Sequence, residues 1–148
     1  HITAMTGMQP AITQGDRVDG RKGNAISLET IVKGCGVEYI KVIDPFDTKN
    51  MIQTVKDAAE YVDDPDGGIA VIISRHPCVI GFKDEAIPEK IEVCVSDECD
   101  DCGFCHMRFE CPAMVRDSEN EKTEINKVLC AECGVCVQIC PRDAVEKA

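Results

Sequence analysis

The stretch "CDDCGFCHMRFECP" (residues 99–112) opens with three cysteines at C-x2-C-x2-C, and a near-copy, "CAECGVCVQICP", follows at residues 130–141. Three thiolates two residues apart wrap a tight loop around one face of a cubane. In two-cluster proteins the fourth cysteine, which precedes proline, is carried away to the other cluster. The repeat therefore predicts two [4Fe–4S] clusters with crossed ligation. Cys99, Cys102 and Cys105 take cluster one, with Cys140. Cys130, Cys133 and Cys136 take cluster two, with Cys111. The second copy has the usual three residues before its last cysteine, whereas the first has five, "HMRFE". Crossing makes that tolerable, because the Cys105–Cys111 segment runs between clusters and a two-residue bulge leaves the three-cysteine wrap intact. Gly103 and Gly134 stand at matching places, where the chain must curl close to inorganic sulfide. Structural zinc is the competing reading of CxxC pairs, but it asks for four ligands, commonly as two separated pairs. Two triplets plus two Cys-Pro singles fit iron–sulfur better.

The rest of the chain agrees with redox chemistry. It has 148 residues, 11 cysteines, no Trp and a formal net charge of −11. Residues 1–88 carry net −4 and residues 89–148 net −7. Such acidity argues against nucleic acid, whose binding needs Lys and Arg on phosphates. It suits solubility and steering toward a basic partner. No apolar run approaches the ~20 residues of a membrane helix, so no membrane role is expected. The cysteine count is odd, nine of the cysteines fall after residue 93, and no secretory signal is visible. These features predict metal ligation in a reducing cytoplasm over a disulfide scaffold. The first residues, "HITAMTG", read as part of a longer protein.

Two domains are expected, 1–88 and 89–148. In the first, "SLETIVKGCG" (27–36) reads as a short helix with Ser27 as N-cap and Gly36 as stop. "VEYIKVI" (37–43) reads as a strand. A helix follows with Asp47 as N-cap. Its residues Met51, Ile52, Val55, Ala58, Ala59 and Val62 fall on one apolar face. "DDPDGG" (63–68) is a turn, and "IAVIIS" (69–74) is a buried parallel strand. This order is the tail of an α/β layered domain. Residues 1–26 read as a long loop, "KDEAIPEK" (83–90) as a linker, and "IEVCVS" (91–96) as a strand opening the second domain.

The remaining cysteines, Cys35, Cys78 and Cys94, read as buried small hydrophobes. His76 and His106 are expected at the solvated surface, with a cluster-tuning role for His106 as the alternative. Phe104 and Phe109 are expected to shield the clusters from water.

"ITAMTGMQP" (2–10) resembles the loop after the diphosphate motif in thiamine diphosphate enzymes of the 2-oxoacid:ferredoxin oxidoreductase superfamily. With a ferredoxin-like domain placed last, the chain is similar to the C-terminal part of the large subunits of the indolepyruvate branch. The fold so implied is an α/β fragment, the end of a thiamine-diphosphate-binding domain. An α+β two-cluster bacterial ferredoxin-like domain follows it. The resemblance implies that the backbone near Ile2 completes a Mg2+ shell, and that Thr3, Met5, Thr6 and Gly7 border thiamine diphosphate. The family's acidic Mg2+ ligand and its partner Asn lie upstream of this loop, so the loop residues by themselves should bind the cofactor weakly. The resemblance further implies a smaller second subunit, an external ferredoxin as electron acceptor, and a 2-oxoacid and coenzyme A as substrates. Two alternatives stand beside it. One is a ferredoxin-like carrier whose first 88 residues are a docking domain. The other is a related oxidoreductase with a different 2-oxoacid.

Overall fold

The computed structural model describes residues 2–3, 9–79, 85, 87, 89–119 and 122–148, with side chains from residue 11 onward. It divides into two units, His1–Ala86 and Ile87–Ala148.

The first unit begins with a minimal antiparallel pair, β1 (Ile2–Thr3) and β2 (Gln9–Pro10). Residues 11–26, expected as an open loop, fold back on themselves. Gly23 N–H donates to Gly15 O (2.6 Å), Ile26 N–H to Ile12 O (3.2 Å) and Arg17 N–H to Arg21 O (3.0 Å). Local backbone pairing of this kind leaves no hydrophobic periodicity in the sequence, which is why the segment reads as unstructured. Helix α1 (Leu28–Gly34) starts where Ser27 Oγ accepts the Thr30 N–H at 3.2 Å. Gly36 follows at φ 83°. Strand β3 (Tyr39–Ile43) leads into helix α2 (Thr48–Asp63), capped by Asp47 accepting the Asn50 N–H at 3.1 Å. Strand β4 (Ala70–Ser74) returns parallel to β3, with Tyr39 opposite Ala70 and Ile43 opposite Ser74. Stacking of Tyr39 on Tyr61, ring centroids 4.8 Å apart, pins the helix to the first strand. The apolar stripe of α2 is only partly used. Ala58 is buried, whereas Ile52, Val55 and Val62 are exposed.

The second unit closes around cysteine. Strand β5 (Val93–Val95) pairs antiparallel with the final strand β8 (Val145–Lys147), joining the two ends of the unit. Strands β6 (Met114–Asp117) and β7 (Lys122–Ile125) form an antiparallel hairpin. Between β5 and β6 lies a π-helical turn, Phe104–Arg108, and between β7 and β8 a short helix, α3 (Val135–Ile139). The core is Val93, Met114, Cys136 and Val145. Against it pack Ile91, Ile125, Val137 and the cysteines 105, 111, 130 and 140. Ile87, assigned to the linker from its charged neighbours, is buried at 4 % exposure.

Candidate metal centre

The two motifs adopt the same backbone despite their unequal lengths. Each glycine after the second cysteine takes a left-handed conformation, φ 75° at Gly103 and 68° at Gly134. A Cβ on Gly134 would stand 2.7 Å from Ile91 Cδ1, and one on Gly103 would meet the Met107 side chain. The residue between the first two cysteines and next to the second is also left-handed in both copies, Asp101 at φ 49° and Glu132 at 59°. These positive dihedrals turn the chain inward so that successive thiols face one space.

The extra residues are absorbed by hydrogen bonding. In the second motif α3 carries the chain from Cys136 to Cys140, whose N–H donates to Cys136 O at 3.2 Å. In the first, the π-helical turn spans Cys105 to Cys111, and the Cys111 N–H donates to Cys105 O at 3.1 Å. The third and fourth cysteines are thus joined by the same bond in both copies. In the first motif the bond closes over six residues instead of four, so the two additional residues sit within its loop around the π-helical bond from Phe109 N–H to Phe104 O. After each fourth cysteine the chain makes a β-turn, Met114 N–H to Cys111 O (3.0 Å) and Asp143 N–H to Cys140 O (3.3 Å). Pro112 and Pro141 hold the second position of these turns, where a fixed φ suits them and no donor is needed.

One internal cavity is lined by Cys99, Cys102, Cys105 and Cys140, with Phe104, Thr123 and Val145 among its other walls. Cys140 is contributed from the far motif, as crossing requires. A second group gathers around Cys136. Burial, followed by the negative potential of Cys133, Cys111 and Cys130, pushes its thiol up to about 11. Cys111 therefore sits with the second motif's triplet. Metal ligation takes the thiolate, so metal loading there would release protons. Among the described residues no three Cys, His, Asp or Glu side chains converge on a single ion-sized point. The thiols ring a space, and a cubane takes one thiolate at each of its four irons. Backbone N–H groups point at ligand sulfurs at both places, Ala144 to Cys140 Sγ at 3.3 Å and Glu132 to Cys130 Sγ at 3.4 Å.

Acidic residues of the first loop are tied down by arginines. Arg142 Nε lies 2.6 Å from Asp100 Oδ2 and holds that carboxyl below the usual carboxylate range. Arg116 Nε lies 2.6 Å from Asp101 Oδ2.

Other sequence expectations fare unevenly. Cys35 and Cys94 are exposed, not buried, and Cys78 is half-buried. Cys94 faces out because β5 buries Val93 on its other face. His76 is not on the solvated surface. Its side chain is 12 % exposed, its ring stacks on Phe46 at 3.8 Å between centroids, and its Nδ1 lies 2.9 Å from Asp44 Oδ1. His106 is half-buried with Nδ1 3.8 Å from Cys105 Sγ. Phe104 walls the first cavity yet, like Phe109, keeps 38 % exposure. Met5, Thr6 and Gly7 lie outside the described residues. Ile2 and Thr3 are described as the backbone of β1. Thr123 was missed by sequence reading, since a lone threonine in a polar hairpin carries no signal.

A family model for a 4Fe-4S binding domain matches residues 123–146, which contain the second motif. A subunit of indolepyruvate oxidoreductase, IorA, from Archaeoglobus fulgidus is 36 % identical over 148 residues, 99 % of this chain. The chain is similar to IorA along nearly its whole length. Its counterparts from Thermococcus kodakarensis and Methanothermobacter thermautotrophicus are 34 % and 36 % identical, over 98 % and 97 % of the chain. The chain spans only 22–23 % of the length of these IorA proteins. The IorA likeness runs through both units. No solved structure matches the chain. Among the described residues no helix is long and apolar enough to cross a membrane.

Proposed function

We propose that the chain is the electron-transferring C-terminal part of a thiamine-diphosphate-dependent 2-oxoacid:ferredoxin oxidoreductase of the indolepyruvate or arylpyruvate type. The observation that carries this reading is the likeness to IorA along essentially the whole chain. It covers the α/β unit as well as the cysteine-rich one. A free-standing carrier with an unrelated docking domain would share only the second unit. In the complete enzyme a 2-oxoacid is oxidatively decarboxylated, coenzyme A receives the acyl group, and two electrons leave for an external ferredoxin. A smaller second subunit completes the assembly. Thiamine diphosphate and Mg2+ belong to the α/β part, with Ile2, Thr3, Met5, Thr6 and Gly7 at the cofactor's edge.

The cysteine-rich unit holds two [4Fe–4S] clusters, one on Cys99, Cys102, Cys105 and Cys140, the other on Cys130, Cys133, Cys136 and Cys111. Each cluster, when bound, takes up and passes on single electrons. The residues of the chain keep the clusters in an apolar shell of Val93, Met114 and Val145 and fix the thiolates by backbone turns. Anaerobic purification is expected to give a brown protein with about eight irons and eight sulfides per chain. About four irons would show that the first motif does not load, and bound zinc in place of iron would end the cluster reading. Substrate class is tested on the complete two-subunit enzyme. Ferredoxin reduction should be faster with indolepyruvate than with pyruvate or 2-oxoglutarate, and the reverse order would assign another 2-oxoacid.

A further inference from the structure

Thr123 is the buried polar side chain of the core, 4 % exposed, on the inner face of β7. A buried hydroxyl without a partner is costly, so its hydrogen-bond partner is informative. That partner is the Cys105 thiol, with Thr123 Oγ1 3.4 Å from Cys105 Sγ, and both residues wall the cavity shared with Cys99, Cys102 and Cys140. Between a thiol and a hydroxyl either atom can donate. A thiolate bound to iron has no proton, so the hydroxyl must be the donor.

The direction of the effect follows. Charge on the ligand sulfurs grows when a cluster gains an electron, and a donor aimed at sulfur stabilises that charge and raises the potential. Backbone donors do not distinguish the two places, since Ala144 serves Cys140 at one and Glu132 serves Cys130 at the other. Thr123 lies outside the repeat and has its effect on one side alone. At the second place Cys136 is enclosed by Val93, Met114 and Val145, which offer no hydrogen bond. Cys102 of the first is exposed whereas Cys136 of the second is buried, and solvent favours the reduced state in the same sense.

We infer that Thr123 is a positioning residue that holds the Cys105 thiolate and sets cluster one above cluster two in potential, so that the first electron to enter rests on cluster one. This rests on the two-cluster reading above. The test is a redox titration of the intact, fully loaded chain, followed by electron paramagnetic resonance. Two one-electron steps are expected. Thr123→Val, which removes the hydroxyl and keeps the shape, should lower the upper step alone. The ratio of reduced to oxidised cluster at fixed potential should change about tenfold, or about 59 mV for a one-electron couple. Thr123→Ser should restore it. If the valine variant loads fewer than eight irons, Thr123→Ala serves as the hydroxyl deletion. The inference is overturned if, with eight irons bound, neither step moves, both move equally, the lower one moves alone, or serine behaves as valine does. About four irons in the unaltered chain would instead overturn the two-cluster reading, and the inequality with it.

Discussion

At the scale of single residues, the fourth cysteine of each motif tests the crossed arrangement. Cys140 walls the cavity of the first triplet, and Cys111 stands among the thiols that, after burial, push Cys136 up in the second. Cys111→Ala is therefore expected to impair the cluster of the second motif, and Cys140→Ala that of the first. The paramagnetic signal remaining in one variant should be the signal missing in the other, and identical remaining signals would refute crossing. Among the cysteines, Cys35 and Cys94 are exposed outside the motifs, and Cys102 is the exposed one within them. In the loaded protein Cys35 and Cys94 should react with an alkylating reagent first, with the eight motif cysteines protected. Mass spectrometry of the labelled peptides checks this, and early labelling of Cys102, itself exposed without a cluster, would mean that the first motif is not loaded.

At the scale of elements, the "HMRFE" insertion is a π-helical turn, not a defect. The bond from Cys111 N–H to Cys105 O in the long motif matches that from Cys140 N–H to Cys136 O in the short one. The turn's exposed residues, Met107 and Arg108, lie within the loop that this bond closes. Deleting those two residues, which restores three-residue spacing, should preserve eight irons at a stability cost of roughly 1 kcal/mol, about the average for a single mutation. Loss of four irons on deletion would show that the turn holds the cluster itself. Gly134 is stricter than the turn, because its φ of 68° and the nearby Ile91 both exclude a side chain.

At the scale of the whole molecule, the two units differ in what holds them together. Among the described residues of the first unit only Gly15 and Ala58 are buried. At about 1.5–3 kcal/mol per fully buried large aliphatic side chain, that interior offsets little chain entropy. The second unit has a core, but cysteines make up much of it. Iron binding there is folding free energy. A calorimetric scan of the loaded chain should show one cooperative transition, belonging to residues 87–148, and an iron chelator should abolish it. A cooperative transition that survives chelation would show that the apolar contacts suffice alone.

Much of this was legible in the sequence because it is local. The caps at Ser27 and Asp47, the parallel strand at 70–74 and the motif spacings each rest on residues within a few positions of one another, but the burial expected of 69–74 was not met, since Ile69 is exposed and β4, with β3 as its one strand neighbour among the described residues, is only half-buried. The identity of the clusters is likewise local, since C-x2-C-x2-C needs only its own loop. The course of residues 11–26 and the seat of His76 against Phe46 were not legible, because backbone pairing and ring stacking leave no periodic trace. By itself the sequence determined the cysteine spacings, the 4Fe–4S class, the two-part organisation and the expectation that Cys140 and Cys111 cross. Tertiary structure alone decided that Cys94 faces outward and that the Thr123 hydroxyl reaches Cys105. Each of these depends on which strands pair, and pairing between the ends of the unit is a long-range outcome that no short stretch encodes.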